Sequence, residues 1–95
     1  MFVVLLKFAG NKAEAGQHME GHNDWLNQGF DDGVFLLSGS LQPGLGGSIV
    51  AHNTSLPELE DRVNKDPFVA ENVVSAEILE IAASRADTRL EFLLS

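Results

Sequence analysis

Residues 34 to 52 read VFLLSGSLQPGLGGSIVAH, and their reading decides the fold. Two apolar runs, residues 34 to 41 and 47 to 52, flank Gln42-Pro43-Gly44-Leu45-Gly46. Proline and glycine turn a chain within a few residues, so the stretch predicts two strands joined as a hairpin. Its place in the middle of the chain makes the flanking segments decisive.

Upstream, Gly33 stops a stretch over about residues 12 to 31, in which His18, His22, Leu26 and Gly29 recur at helical spacing. Gly16, Gly21 and Gly29 each weaken that helix by about 1 kcal/mol relative to Ala, so close packing on a sheet is expected to compensate. Before it, Phe2-Val3-Val4-Leu5-Leu6-Lys7-Phe8 is apolar on both alternating faces and needs cover on both. Downstream, Ser55-Leu56-Pro57-Glu58 is a capping box that opens a second helix striped by Leu56, Leu59 and Val63. That helix must end near Lys65, because Pro67 pushes Asp66 out of helical geometry. Residues 73 to 82 predict a fourth strand, and Ser84 starts a short terminal helix bearing Leu90, Leu93 and Leu94.

The order is β-α-β-β-α-β, an α+β ferredoxin-like pattern with an antiparallel sheet, over residues 1 to 83. Residues 84 to 95 form a C-terminal helical extension. Right-handed crossovers put both main helices on one face of the sheet. The opposite face is left bare although its strands carry apolar residues, so a homodimer packed sheet to sheet is expected, with higher assembly open.

Ninety-five residues at 44% hydrophobic and 21% charged make one soluble globular domain with a modest core. A net charge of −8 argues against nucleic acid or anionic lipid as a partner, since both need a basic face. The absence of cysteine removes disulfides, thiolate catalysis and cysteine-ligated metals. Lys7 interrupts the apolar start, which lacks the basic lead and length of a signal peptide, and no run is long enough to cross a bilayer. A cytoplasmic protein is expected.

The topology brings distant chemistry to one edge of the sheet. His22, residues 38 to 42 and Asp66-Pro67-Phe68 converge on a single cleft. A carboxylate beside an imidazole orients the ring and fixes its tautomer, which makes a proton-transfer pair. The bland alternatives are a packed helical histidine and an Asp that bonds local N–H groups on leaving a helix. His18 and His22 have the i, i+4 spacing of zinc ligands, with His52 or Asp66 available as a third. Glu20, however, is not where a zincin base belongs, so no metal is expected and His18 reads as a rim residue. Residues 44 to 48 sit in a hairpin without a Gly-Lys-Ser/Thr ending, hence a turn rather than a phosphate loop. Ser38 and Ser40 have no obvious base, which argues against a serine nucleophile.

The apolar first strand resembles that of the YciI-like (YCII-related) family. So do His22 followed by Asp24-Trp25-Leu26, the segment Leu36-Leu37-Ser38-Gly39-Ser40, Gly46-Gly47 opening a strand, and Asp66-Pro67-Phe68-Val69 before a valine-rich strand. The resemblance implies a dimeric α+β barrel with a His–Asp active site at His22 and Asp66. It also implies a small cofactor-independent enzyme doing lyase- or isomerase-like acid–base chemistry on a small aromatic or enol-like molecule. Ser38, Ser40, Phe68 and Trp25 are the candidate substrate contacts. The chain departs from the family pattern at His18-Met19, where a basic residue is common, and at Gly39-Ser40, where Gly-Pro is common. The rival reading is a non-catalytic, ligand-binding or accessory homodimer.

Overall fold

The computed structural model describes residues 1–94. Strand β1, Phe2–Phe8, occupies the interior of a four-stranded sheet. It pairs with β3, Gly46–Ala51, on one side and β4, Val74–Glu80, on the other. Strand β2, Phe35–Leu41, is the outer partner of β3, giving the order β2-β3-β1-β4 with every pairing antiparallel. This is the ferredoxin-like arrangement that the element order predicts.

Helix α1, Ala15–Asp31, links β1 to β2. The expected first turn of that helix is a separate 3-10 segment, Lys12–Glu14. The helix ends where Gly33 adopts a φ of +74° and its N–H reaches the Phe30 carbonyl, a backbone state that glycine takes without penalty. Helix α2, Leu56–Asn64, carries the complete Ser55–Glu58 capping box. The chain does not simply bend at Pro67: a one-turn helix α3, Pro67–Ala70, starts there with Asp66 as its N-cap.

Alternation along β1 buries Phe2, Val4 and Leu6 beneath the helices, where they meet Ile49 and Ala51 of β3 and Leu59 and Val63 of α2. Of the three helical glycines, Gly29 has the sheet against it: a Cβ there would overlap the Phe35 ring. A Cβ at Gly21 would press on Pro67 at 3.2 Å, whereas one at Gly16 would meet nothing. Close packing therefore compensates at two of the three positions.

The opposite face has no helix among the described residues. Val3, Leu5 and Val50 are half-buried there, and Leu37 and Leu79 are 54% and 43% exposed. Residues 82–94 leave this face uncovered. After β4, mutual hydrogen bonds between Met1 and Ile81 extend the pairing by one step. Residues 82 to 87 are irregular. The terminal helix is a 3-10 segment, Thr88–Leu93, capped by Asp87 rather than Ser84, and its Phe92 lies edge-on to His52 at the end of the sheet. Ser95, the last residue of the expected extension, lies outside the described residues.

An irregularity in β2 sets which of its side chains face the helices. Phe35 pairs with Ala51, but the next registered pair is Leu37 with Val50, so an extra residue enters β2 at Leu36. A bulge of this kind re-phases alternation downstream. Phe35 keeps to the helical side with Ala51, and beyond the bulge Ser38 and Ser40 come to that same side, opposite Ile49 and Gly47.

Candidate functional site

Met19, His22, Asn23 and Leu26 share one face of α1 by their spacing of three and four residues. They roof a partly open cavity of about 300 Å³ between α1 and the sheet. Leu6, Ile49 and Gly47 lie beneath them, and the bulge delivers Ser38 and Ser40 to the same wall. Phe8, Phe68 and Val74 complete the apolar surround. Gly46 makes the return of the hairpin possible here: its φ is +137°, and any Cβ would overlap the Leu6 carbonyl.

His22 Nδ1 lies 2.8 Å from Asp66 Oδ1, with the histidine side chain 13% exposed and the aspartate fully buried. The local sequence explains why the carboxylate is there. Pro67 at the first helical position forces Asp66 into an extended conformation, where Oδ1 accepts the Phe68 N–H at 3.0 Å as a helix cap. Oδ1 therefore serves two donors, one local and one 44 residues away in sequence. Oδ2 is buried without a hydrogen-bond partner among the described residues. Burying a carboxylate so incompletely satisfied is costly, and the imidazole N–H is the long-range contact that offsets it.

Two aromatic rings hold the imidazole plane. Phe68 stacks on it at 4.0 Å between centroids and 4° between planes, and Trp25 stacks less closely at 5.8 Å and 27°. The Trp25 indole N–H donates to the Arg62 carbonyl at 2.9 Å, tying α1 to the end of α2 just before Asp66. Arg62 in turn pairs with Asp32 at 3.0 Å. A hydrogen bond from Gln28, then the Arg62 guanidinium, hold the Asp32 carboxyl below its ordinary range.

With Nδ1 committed to Asp66, the opposite edge of the ring, Nε2, has no protein partner among the described residues, and His22 lines the cavity. Such an imidazole can take a proton from a ligand or give one back. Phe68, Ser38 and Ser40 also line the cavity, as does their neighbour Gly39. Trp25 lies outside its wall and supports His22 from behind. His18 is half-buried one turn earlier, and among the described residues no group of three or more His, Asp or Glu side chains could hold a metal ion. Met19, Asn23 and Gly47 are cavity residues that residue type alone does not single out. The first two could be found by stepping three back and one on from His22.

The model of the YCII-related domain matches residues 1–82 of the chain. No curated protein matches it significantly. Among solved structures, it is similar to 5-chloro-2-hydroxyhydroquinone dehydrochlorinase (TftG) from Burkholderia phenoliruptrix AC1100, in complex with 2,5-dihydroxybenzoquinone. That likeness has a TM-score of 0.68 at 13% identity, covering 85% of this chain and 93% of the other. At that identity it concerns the fold.

Proposed function

The chain belongs to the YCII-related family, and from that premise we propose that it is a small acid–base enzyme needing no cofactor. His22 carries the proton and Asp66 orients it; the substrate is a small aromatic or enol-like molecule bound over Phe68 and within reach of Ser38 and Ser40. The 2.8 Å contact between a cavity-lining imidazole and a fully buried carboxylate carries this reading. A helix cap needs no histidine, and a packed histidine needs no ionisable partner, yet both groups are spent on each other beside an open cavity. The dehydrochlorinase of similar fold acts on a small hydroxylated ring, which supports the reaction class.

The functional unit in this reading is a homodimer. The sheet face carrying Val3, Leu5, Leu37, Val50 and Leu79 has no cover among the described residues, and a second copy would bury these apolar side chains. No helix among the described residues is long and apolar enough to cross a membrane, and the reading places the protein in the cytoplasm.

The test is solvent-deuterium incorporation into the ring carbons of 1,2,4-trihydroxybenzene, which exchange through a keto tautomer. The native protein should accelerate exchange, and His22→Gln should lose about 10²–10⁴-fold of that acceleration, the usual worth of a positioned acid–base group. Binding without accelerated exchange would favour the non-catalytic dimer instead.

A further inference from the structure

We infer that the cavity selects molecules that arrive uncharged and carry their own acidic O–H, a phenol or an enol, and rejects those that bear a separate carboxylate or phosphate. This rests on the acid–base reading of His22 and narrows its substrate class.

The charge inventory carries the inference. None of the described residues lining the cavity is Lys, Arg, Asp or Glu; apart from His22, its polar side chains are serines and Asn23. A permanent anion held there would find neutral donors but no counter-charge. The buried carboxylate of Asp66 stands directly behind the imidazole, so the pair carries a net negative charge whenever the ring is neutral. The chain as a whole carries −8, which repels anions on approach. Lys12 is not among the lining residues, although its Nζ sits 4.7 Å from the centroid of the ring of Phe8, which is.

A neutral O–H meets none of these penalties. Its proton can pass to His22 Nε2: the O–H bond breaks, the N–H bond forms and the electron pair stays on oxygen. The ligand is then an oxyanion beside an imidazolium, the imidazolium beside the Asp66 carboxylate, and the cavity has gained no net charge. Burying an anion without such compensation is strongly unfavourable. Size fits the same class. An apolar cavity of about 150 Å³ holds benzene, so about 300 Å³ accommodates one substituted ring.

The experiment compares two compounds of nearly equal shape, 4-hydroxybenzamide and 4-hydroxybenzoate, titrated into the full chain at neutral pH. Binding is followed by the NMR resonances of the His22 ring. The amide should bind at least about tenfold more tightly, and Gly47→Val, which pushes a side chain into the cavity, should abolish its binding. Gly47 tolerates a Cβ, whose nearest contact would be an ordinary 3.6 Å to the Gly39 carbonyl, so that variant should fold. Equal or tighter binding of 4-hydroxybenzoate at His22 would overturn the inference while leaving the acid–base reading standing, and its loss in Lys12→Met would identify Lys12 as the missing counter-charge. Failure of the amide to move the His22 resonances, or amide binding that survives Gly47→Val, would overturn the inference and deny the cavity its role as the site.

Discussion

Helices α1 and α2 cover the same face of the same sheet, but they do so in opposite ways. Helix α2 spans nine residues and buries Leu59 and Val63 outright against the strands. Helix α1 spans 17 and buries only Gly29. Its Trp25 and Leu26 are only half-buried against the core, and Met19, His22 and Asn23 join Leu26 in roofing a cavity. The strands show the same division. Where α2 packs, they present Val4 and its buried neighbours; under α1 they present Gly47, Ser38 and Ser40 beside Leu6 and Ile49. Fully buried side chains belong to α2, whereas α1 packs through half-buried ones and leaves a gap beside them. Space for a ligand is made by withholding side chains, and it lies beside a tightly packed core that meets the cost.

The division can be broken most forcefully from the α2 side. Leu59→Ala should cost about 2–5 kcal/mol in urea denaturation, the range for a fully buried leucine that leaves a cavity. Met19→Ala, on the cavity side of α1 and 43% exposed, should have a much smaller effect on the same measurement. A comparable loss for the two would mean that α1 is as structural as α2.

A smaller effect is expected where α1 does touch the sheet. Gly29→Ala gains helix propensity of about 1 kcal/mol but overlaps the Phe35 ring, itself only 3% exposed, and overpacking of this kind costs about 1–3 kcal/mol. Net destabilisation, with displaced Phe35 ring resonances, is the expected outcome. Gly16→Ala, in open space, should stabilise instead.

The smallest effect concerns the tie between the helix ends. Folding depresses the Asp32 carboxyl through Gln28 and Arg62, so its contribution is present above the ordinary carboxylate range and is lost as pH falls through its lowered value. Asp32→Asn should therefore show a slightly shallower fall in urea midpoint between about pH 5 and pH 2 than the native chain. Because the Asp32 side chain is 38% exposed, an unchanged fall would mean that solvent screens the pair completely.

Much of this can be read from residue types because the signals are local. The Ser55–Glu58 box, the apolar alternation of β1 and the stop at Gly33 each depend on a few consecutive residues, and each is where the sequence places it. The terminal segment is the exception in kind: Asp87, with its carboxylate on the Arg89 N–H, displaces Ser84 as the cap, and the two are equivalent by residue type alone. The bulge at Leu36 cannot be read, because an extra strand residue has no signature in a run of leucines. Without it, strict alternation would put Ser38 on the face opposite Phe35 and outside the cavity. At Asp66 a helix-leaving cap and a partner for His22 are alternatives by residue type. The geometry contains both, since one carboxylate oxygen caps α3 and also meets His22. Trp25 is a candidate substrate contact on residue type, and its position behind His22 depends on an indole hydrogen bond to a backbone carbonyl 37 residues away.

The central claim is that Asp66 sets the imidazole so that its free nitrogen serves the cavity. Long-range proton–nitrogen NMR of His22, at a pH where the ring is neutral, tests this most directly. The account predicts the Nδ1–H tautomer, with Nε2 bare and responsive to an added phenol. A ring that carries its proton on Nε2, as free histidine prefers, would contradict it.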